Sequence, residues 1–381
     1  MFEFEQGPIR PPSEAGSLLI RATRNCPWNR CEFCHTYKGQ KFQIRSVDEI
    51  KEDIQKARDI ADEIRQVSWR HGHGGGVNDE IIRIIFDQRS RYGESHRSVA
   101  YWLYFGGTRA FIQDANSLVM KTQDLVAVLT LLKEKFPQIT RITTYARSKT
   151  LAKKTVGELR DLHRAGLSRI HVGLETGYDS LLAYIRKGVT AREHVEAGKK
   201  VMKSGISLCE YVMPGLGGKR WTHQHAVETA RVLNQINPDH IRLRTLYVRS
   251  DMSLHQKVRS GEMELLDDDE VVQEIRLFIE HLNGIQSTLV SDHILNLLEE
   301  VEGHLPEDKE KLLAIIDRYL SLAAEERLIF AVGRRAGLYH RLDDLKDAAN
   351  RLRVQQAIRR LEELGSGKVE ETIKSVMANY I

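Results

Sequence analysis

Short apolar runs alternate with longer stretches of helical periodicity through roughly the first two-thirds of the chain. SLLIRAT (17–23) predicts a strand, and residues 46–66 predict a helix opened by a capping box, Ser46 with Glu49 three positions on. Strands are then expected at 109–113, 141–145, 169–174, 207–213 and 240–248, separated by helices at 124–135, 155–165, 191–204 and 223–235. Strands alternating with helices of this length call for parallel pairing through right-handed crossovers. The expected fold is therefore α/β, a partial (β/α)6 TIM-like barrel.

Two segments stand outside that alternation. Residues 67–107 carry a glycine-rich run from His71 to Gly76 and an aromatic run from Tyr101 to Phe105. A connection this long inside a compact domain is usually functional or separately structured, so it is read either as an insertion near the active-site face or as a peripheral hairpin or helix. After Gly261 the strand signal fades and charged helical segments follow at 267–282, 306–322, 325–335 and 342–364. The expected organisation is a core over 1–260, with the 67–107 insertion, and a helical C-terminal appendage over 261–381.

Composition narrows the class only modestly. With 41% hydrophobic and 29% charged residues the 381-residue chain is of the globular kind, and its net charge of +4 does not indicate nucleic acid as a partner. The acidic N-terminal stretch is not a secretory signal and no apolar run reaches spanning length, so a cytoplasmic protein without membrane partners is expected.

The chemistry concentrates in one loop. Cys26, Cys31 and Cys34 follow the first strand with the spacing C-x4-C-x2-C, close enough for three thiolates to hold an iron–sulfur cubane. Three ligands leave one iron open, and an open metal position is a catalytic feature. The same spacing also admits a zinc site completed by His35 or a distant ligand, although no second pair of ligands of the usual kind is present. On that reading the chain is a zinc-stabilised module binding RNA or protein. Cys209, within ISLCEYVM, reads as a buried core thiol.

The loop TRNCPWNRCEFCHTYKG, between a first strand and a capped helix, resembles the cluster loop of the radical S-adenosylmethionine (SAM) superfamily, including the aromatic Phe33 before the third cysteine. The resemblance, which covers about residues 15–260, carries C-x4-C-x2-C in place of the commoner three-residue first spacing. It is similar to the subgroup of anaerobic coproporphyrinogen oxidases and methylthiotransferase-like proteins, with the substrate unassigned. It implies a [4Fe–4S] cluster on Cys26, Cys31 and Cys34, bound S-adenosylmethionine, and reductive cleavage giving a 5′-deoxyadenosyl radical that abstracts hydrogen from substrate. A flavodoxin or ferredoxin-type electron donor is implied as partner.

Further motifs follow from the same resemblance. His171-Val-Gly-Leu-Glu175-Thr-Gly177 is similar to the fourth-strand segment whose carboxylate contacts the cofactor, with Arg186 in the Arg-Lys-Gly stretch beyond it. Asp114 and Asn116 occupy the place of a glycine-rich segment, here without its glycines, that meets the methionine amino group. Met213 and Gly215 resemble the loop on the adenine side. Each also has a structural reading, Glu175 as a helix cap for instance. Arg147, Arg242 and Arg244 are candidates for clamping a carboxylate or for ordinary ion pairs, and Asp292-His293 is a candidate for approaching the substrate. No catalytic residue is assigned.

Overall fold

The computed structural model describes residues 3–378. Its strands are β1 (Leu18–Arg21), β2 (Thr23–Arg24), β3 (Gln43–Ile44), β4 (Arg109–Gln113), β5 (Arg141–Ala146), β6 (Leu167–Glu175), β7 (Ser207–Val212), β8 (His240–Leu243), β9 (Thr288–Val290) and β10 (Gly303–His304). Eight of them form a mostly parallel sheet in the order β1-β4-β5-β6-β7-β8-β9-β10, which does not close into a barrel. The expected α/β partial barrel is thus present, lengthened by β9 and β10. Two or three residues are too few to show alternation, which is why the sequence pattern did not reveal these strands.

Two compact units divide the chain. The first takes the described residues up to Asn29, then Thr36–Val172 and Lys200–Leu208. In it β1, β4, β5 and the first part of β6 pair in parallel, with Leu18 opposite Ala110 and Thr144 opposite Ile170. Leu18, Ile20, Phe111 and Ile170 are fully buried there. The capping box of Ser46 and Glu49 forms as expected and opens the helix Val47–Arg70. Its buried stripe of Ile50, Ile54, Ala57, Ala61 and Ile64 recurs every three or four residues, the period that puts side chains on one helical face. The 67–107 segment folds into the helices Asp79–Asp87 and Glu94–Tyr104, and Trp102 packs edge-on against Phe136 at 5.2 Å.

The second unit takes Arg30–His35, Gly173–Lys199 and the described residues from Cys209 onward. Here β7, β8 and β9 are parallel, with Val212 opposite Leu243 and Ile241 opposite Leu289, and β10 returns antiparallel to β9. Strand β8 stops at Leu243, well short of the expected 248. Arg244 N–H makes the last bond to β7, donating to Val212 O, and beyond it the backbone turns to other acceptors, Thr245 N–H donating to Asn296 Oδ1 and Leu246 N–H to Pro214 O. The apolar run continues while the ladder does not. Helices dominate the rest, including Asp268–Glu280, Lys309–Leu320, Ala324–Arg335, Ala348–Glu363 and Lys368–Ala378.

Candidate cofactor site

The cysteine loop leaves β2 and returns through β3, whose antiparallel pairing, Thr23 with Ile44 and Arg24 with Gln43, pins its two ends. At its start Asn25 and Asn29 both adopt left-handed backbone, φ 70° and 49°, a conformation asparagine tolerates better than most residues. Asn25 donates its side-chain N–H to Lys41 O at 2.7 Å, and Asn29 donates its own to Tyr37 O. These bonds curl the chain so that Asn29 N–H donates to Cys26 Sγ at 3.4 Å.

Asp114 and Asn116 stand behind this start of the loop. Asp114 is fully buried at the end of β4, and its Oδ2 accepts from Arg21 at 2.7 Å and from Asn25 N–H at 3.2 Å. Burial pushes its carboxyl above the usual range against the pull of Arg21. Asn116, also buried, donates to Thr150 Oγ1 at 2.8 Å and accepts from Arg147 N–H at 3.1 Å. The Arg147 guanidinium lies 5.2 Å from the ring centre of Trp28.

Cys31 and Cys34 belong to the second unit, where Cys34 N–H donates to Cys31 O at 3.4 Å. Glu32, the first of the two residues between them, anchors the segment: its N–H donates to Ile185 O, its O accepts from Leu254 N–H, and its carboxylate pairs with Lys257 at 2.8 Å. His35 lies 3.7 Å from Asp251. Cys26, Cys31 and Cys34 are half-buried and, like Cys209, form no disulfide. Among the described residues no three His, Cys, Asp or Glu side chains converge as donors to a single ion.

Phe33 packs against the buried cluster of Leu181, Ile185, Met213 and Leu216, so two sequence candidates, Phe33 and Met213, share one apolar wall. Lys187 Nζ sits 5.3 Å from the Phe33 ring centre and donates to Glu175 Oε1 at 2.8 Å. Glu175 ends β6 in left-handed backbone, φ 63°, and its carbonyl accepts from Met213 N–H at 3.0 Å. Its side chain folds back over Gly173, where a Cβ would stand 2.2 Å from Oε1. Arg186 is exposed at the end of the helix Asp179–Tyr184, with φ 54°. Gly215, φ 83°, donates its N–H to Glu274 Oε1 at 2.6 Å. His225 fixes the same turn, donating from Nε2 to Met213 O at 3.0 Å, with Nδ1 2.8 Å from Thr176 Oγ1.

Lys187 and Glu210 were not singled out from the sequence. Glu210 lies fully buried in β7 with Oε2 lacking a hydrogen-bond partner, and burial holds its carboxyl well above the usual range, with Glu175 reinforcing and Lys187 opposing the shift. The signal was available: one carboxylate inside the apolar run ISLCEYVM. A raised carboxyl binds its proton more tightly folded than unfolded, so wild-type stability falls relative to Glu210→Gln as pH rises above the ordinary 4.5 towards the folded value. The slope within that window is about 1.4 kcal/mol per pH unit. Urea unfolding of both proteins across that range checks this; a pH-independent difference would mean that Glu210 is already ionised.

The model of the Radical SAM superfamily matches residues 20–233, more than half of the chain. The chain belongs to that superfamily. Its members are enzymes that use a [4Fe–4S] cluster and S-adenosylmethionine. The uncharacterized protein YtqA of Bacillus subtilis is 22% identical over 199 residues, 52% of this chain and 59% of that protein. The uncharacterized protein MJ0486 of Methanocaldococcus jannaschii is 26% identical over 114 residues, 30% of this chain and 35% of that one. The matches therefore span less than two-thirds of either relative. Among solved structures, coproporphyrinogen III oxidase (HemN) from Escherichia coli, a radical SAM enzyme, aligns with a TM-score of 0.45 and 12% identity over 70% of this chain and 52% of that one. No helix of the described residues is long and apolar enough to cross a membrane.

Proposed function

We propose that the chain holds one [4Fe–4S] cluster on Cys26, Cys31 and Cys34 and binds S-adenosylmethionine for reductive cleavage and hydrogen abstraction from a substrate. The observation that carries this is the C-x4-C-x2-C loop inside the matched superfamily region. The donor set fits: three half-buried thiols in one loop, one already accepting a backbone N–H. When bound, the cluster and S-adenosylmethionine together supply a 5′-deoxyadenosyl radical.

The remaining work falls to side chains. Glu175, steadied by Lys187 and by the absence of a Cβ at Gly173, presents a fixed carboxylate to the cofactor's ribose or amino group. Phe33 and Met213 supply an apolar wall that keeps water from the reacting centre, and Gly215 lets the backbone approach the adenine. Asp114 holds the start of the cysteine loop through Asn25, Asn116 serves the methionine end of the cofactor, and Arg186, exposed, lies on the rim. The reaction belongs to an oxidoreductase, lyase or transferase. A flavodoxin or ferredoxin-type protein supplies the electron in the cytoplasm, with residues 1–260 as the catalytic core and 261–381 as the appendage.

Anaerobic reconstitution with iron and sulfide, then dithionite and S-adenosylmethionine, should yield 5′-deoxyadenosine detectable by mass spectrometry. Zinc in place of iron, with no cofactor cleavage, would defeat this reading in favour of a zinc-stabilised RNA- or protein-binding module.

A further inference from the structure

Arg242 and Arg244 are two apart along the chain at the C-terminal edge of β8, and side chains two apart on a strand share a face. The backbone holds Arg244 beside the apolar wall: its N–H donates to Val212 O at 2.9 Å and Leu246 N–H donates to Pro214 O at 2.8 Å, so the two bonds bracket Met213. Ligands of parallel α/β sheets bind at this edge. The chain then continues from Arg249 and Asp251, where Asp251 meets His35, to Leu254 and Lys257, which hold Glu32 between Cys31 and Cys34. All these contacts lie within one compact unit.

The neighbourhood is crowded with guanidinium groups. His293, half-buried, is pushed down to about 4 by burial first and then by Arg244, Arg242, Arg334 and Arg335. Three of those four arginines have a carboxylate of their own: Arg242 pairs with Asp292 at 2.6 Å, Arg334 with Glu299 at 3.0 Å and Arg335 with Asp268 at 3.0 Å. Arg244 is exposed and has no ion pair among the described residues. A neutral His293 whose Nδ1 accepts from Leu295 N–H, at 3.2 Å, keeps its proton on Nε2 as a donor.

We propose that Arg244, with Arg242 and His293 behind it, is a subsite for an anionic group of the substrate, a carboxylate or a phosphate. The missing counter-ion at Arg244 is supplied by the ligand, and a guanidinium fork suits either anion. That the ligand is a substrate rests on the enzyme reading above; that an anion binds here does not.

The test is arginine-selective modification of the reconstituted protein by phenylglyoxal, mapped by peptide mass spectrometry. Inorganic phosphate and acetate are each compared with sodium chloride at equal ionic strength, and the exposed Arg353 serves as internal control. At least one anion should slow modification of Arg244 by a factor of 1 + [L]/Kd, roughly threefold at about twice Kd, and leave Arg353 unchanged. Phosphate protecting more than acetate would identify the phosphate class, and the reverse the carboxylate class. Equal rates in chloride and in both anions would overturn the proposal. So would protection by S-adenosylmethionine alone to which neither anion adds, since the subsite would then serve the cofactor's own carboxylate. Protection without deoxyadenosine formation would leave the anion site standing and remove the enzyme reading, whereas deoxyadenosine without protection would remove the site alone.

Discussion

Cys31→Ala protein, purified and reconstituted anaerobically, is expected to lose its iron–sulfur absorbance and to form at least about a hundredfold less 5′-deoxyadenosine than wild type, because even outer-shell changes at metal sites reach that size. Cys26→Ala and Cys34→Ala should behave alike, since a cubane held by three thiolates has no spare ligand in the protein. The three positions are half-buried and sit in a loop rather than in a packed core, so the substitutions should cost little stability. Circular dichroism and a urea midpoint close to wild type separate loss of the cluster from loss of the fold. Cys209→Ala is the control: that thiol is buried in β7 and should keep both cluster and cleavage, with a modest loss of stability from the small cavity. A Cys31→Ala protein that retains full iron and cleavage would remove Cys31 from the ligand set. A Cys209→Ala protein that loses both would point instead to a fully ligated cluster of the electron-transfer kind.

What could be read along the chain was local. The capping box that opens the helix Val47–Arg70 is made by residues three apart, and it stands where the pattern places it. The strands β1 and β4 to β7 were legible for the same reason, each carrying its own apolar run. Helix ends were less so. The helix Gly218–Ile236 begins inside the Met-Pro-Gly-Leu-Gly-Gly stretch, where glycine and proline signal a loop, and starts five residues before the expected 223. The early end of β8 was hidden because the apolar run past Leu243 bonds to Asn296 and Pro214, partners no local pattern names. The same limit applies at the site. Phe33, Glu175 and Met213 were named through motifs, but Lys187 and Glu210 become candidates only where the fold places a buried carboxyl beside a lysine already paired to Glu175. Lys187 stood inside the Arg-Lys-Gly stretch and Glu210 inside an apolar run, but which group each would meet is set by the tertiary fold.

Gly173→Ala is the sharpest test of the Glu175 assignment, because it alters no functional group. A Cβ at this position would lie 2.2 Å from Glu175 Oε1 and 3.0 Å from Lys187 Nζ, so the carboxylate must swing away from where it now sits. The atoms in the way are the far ends of two flexible side chains, and overpacking of this kind costs about 1–3 kcal/mol, which leaves most of a domain's stability intact. Binding should suffer more. A hydrogen bond to a charged group contributes about 1.5–3 kcal/mol, so a displaced carboxylate should weaken S-adenosylmethionine binding by roughly tenfold to a hundredfold. Equilibrium dialysis of the reconstituted protein against labelled S-adenosylmethionine measures this directly. The decisive comparison is a double-mutant cycle with Glu175→Ala. If the methyl group acts only by moving the carboxylate, Gly173→Ala should cost binding nothing further once Glu175 is truncated, so the two effects will not add. Full additivity would mean that the methyl group blocks the cofactor itself or distorts β6, and that Glu175 is not the group through which Gly173 matters.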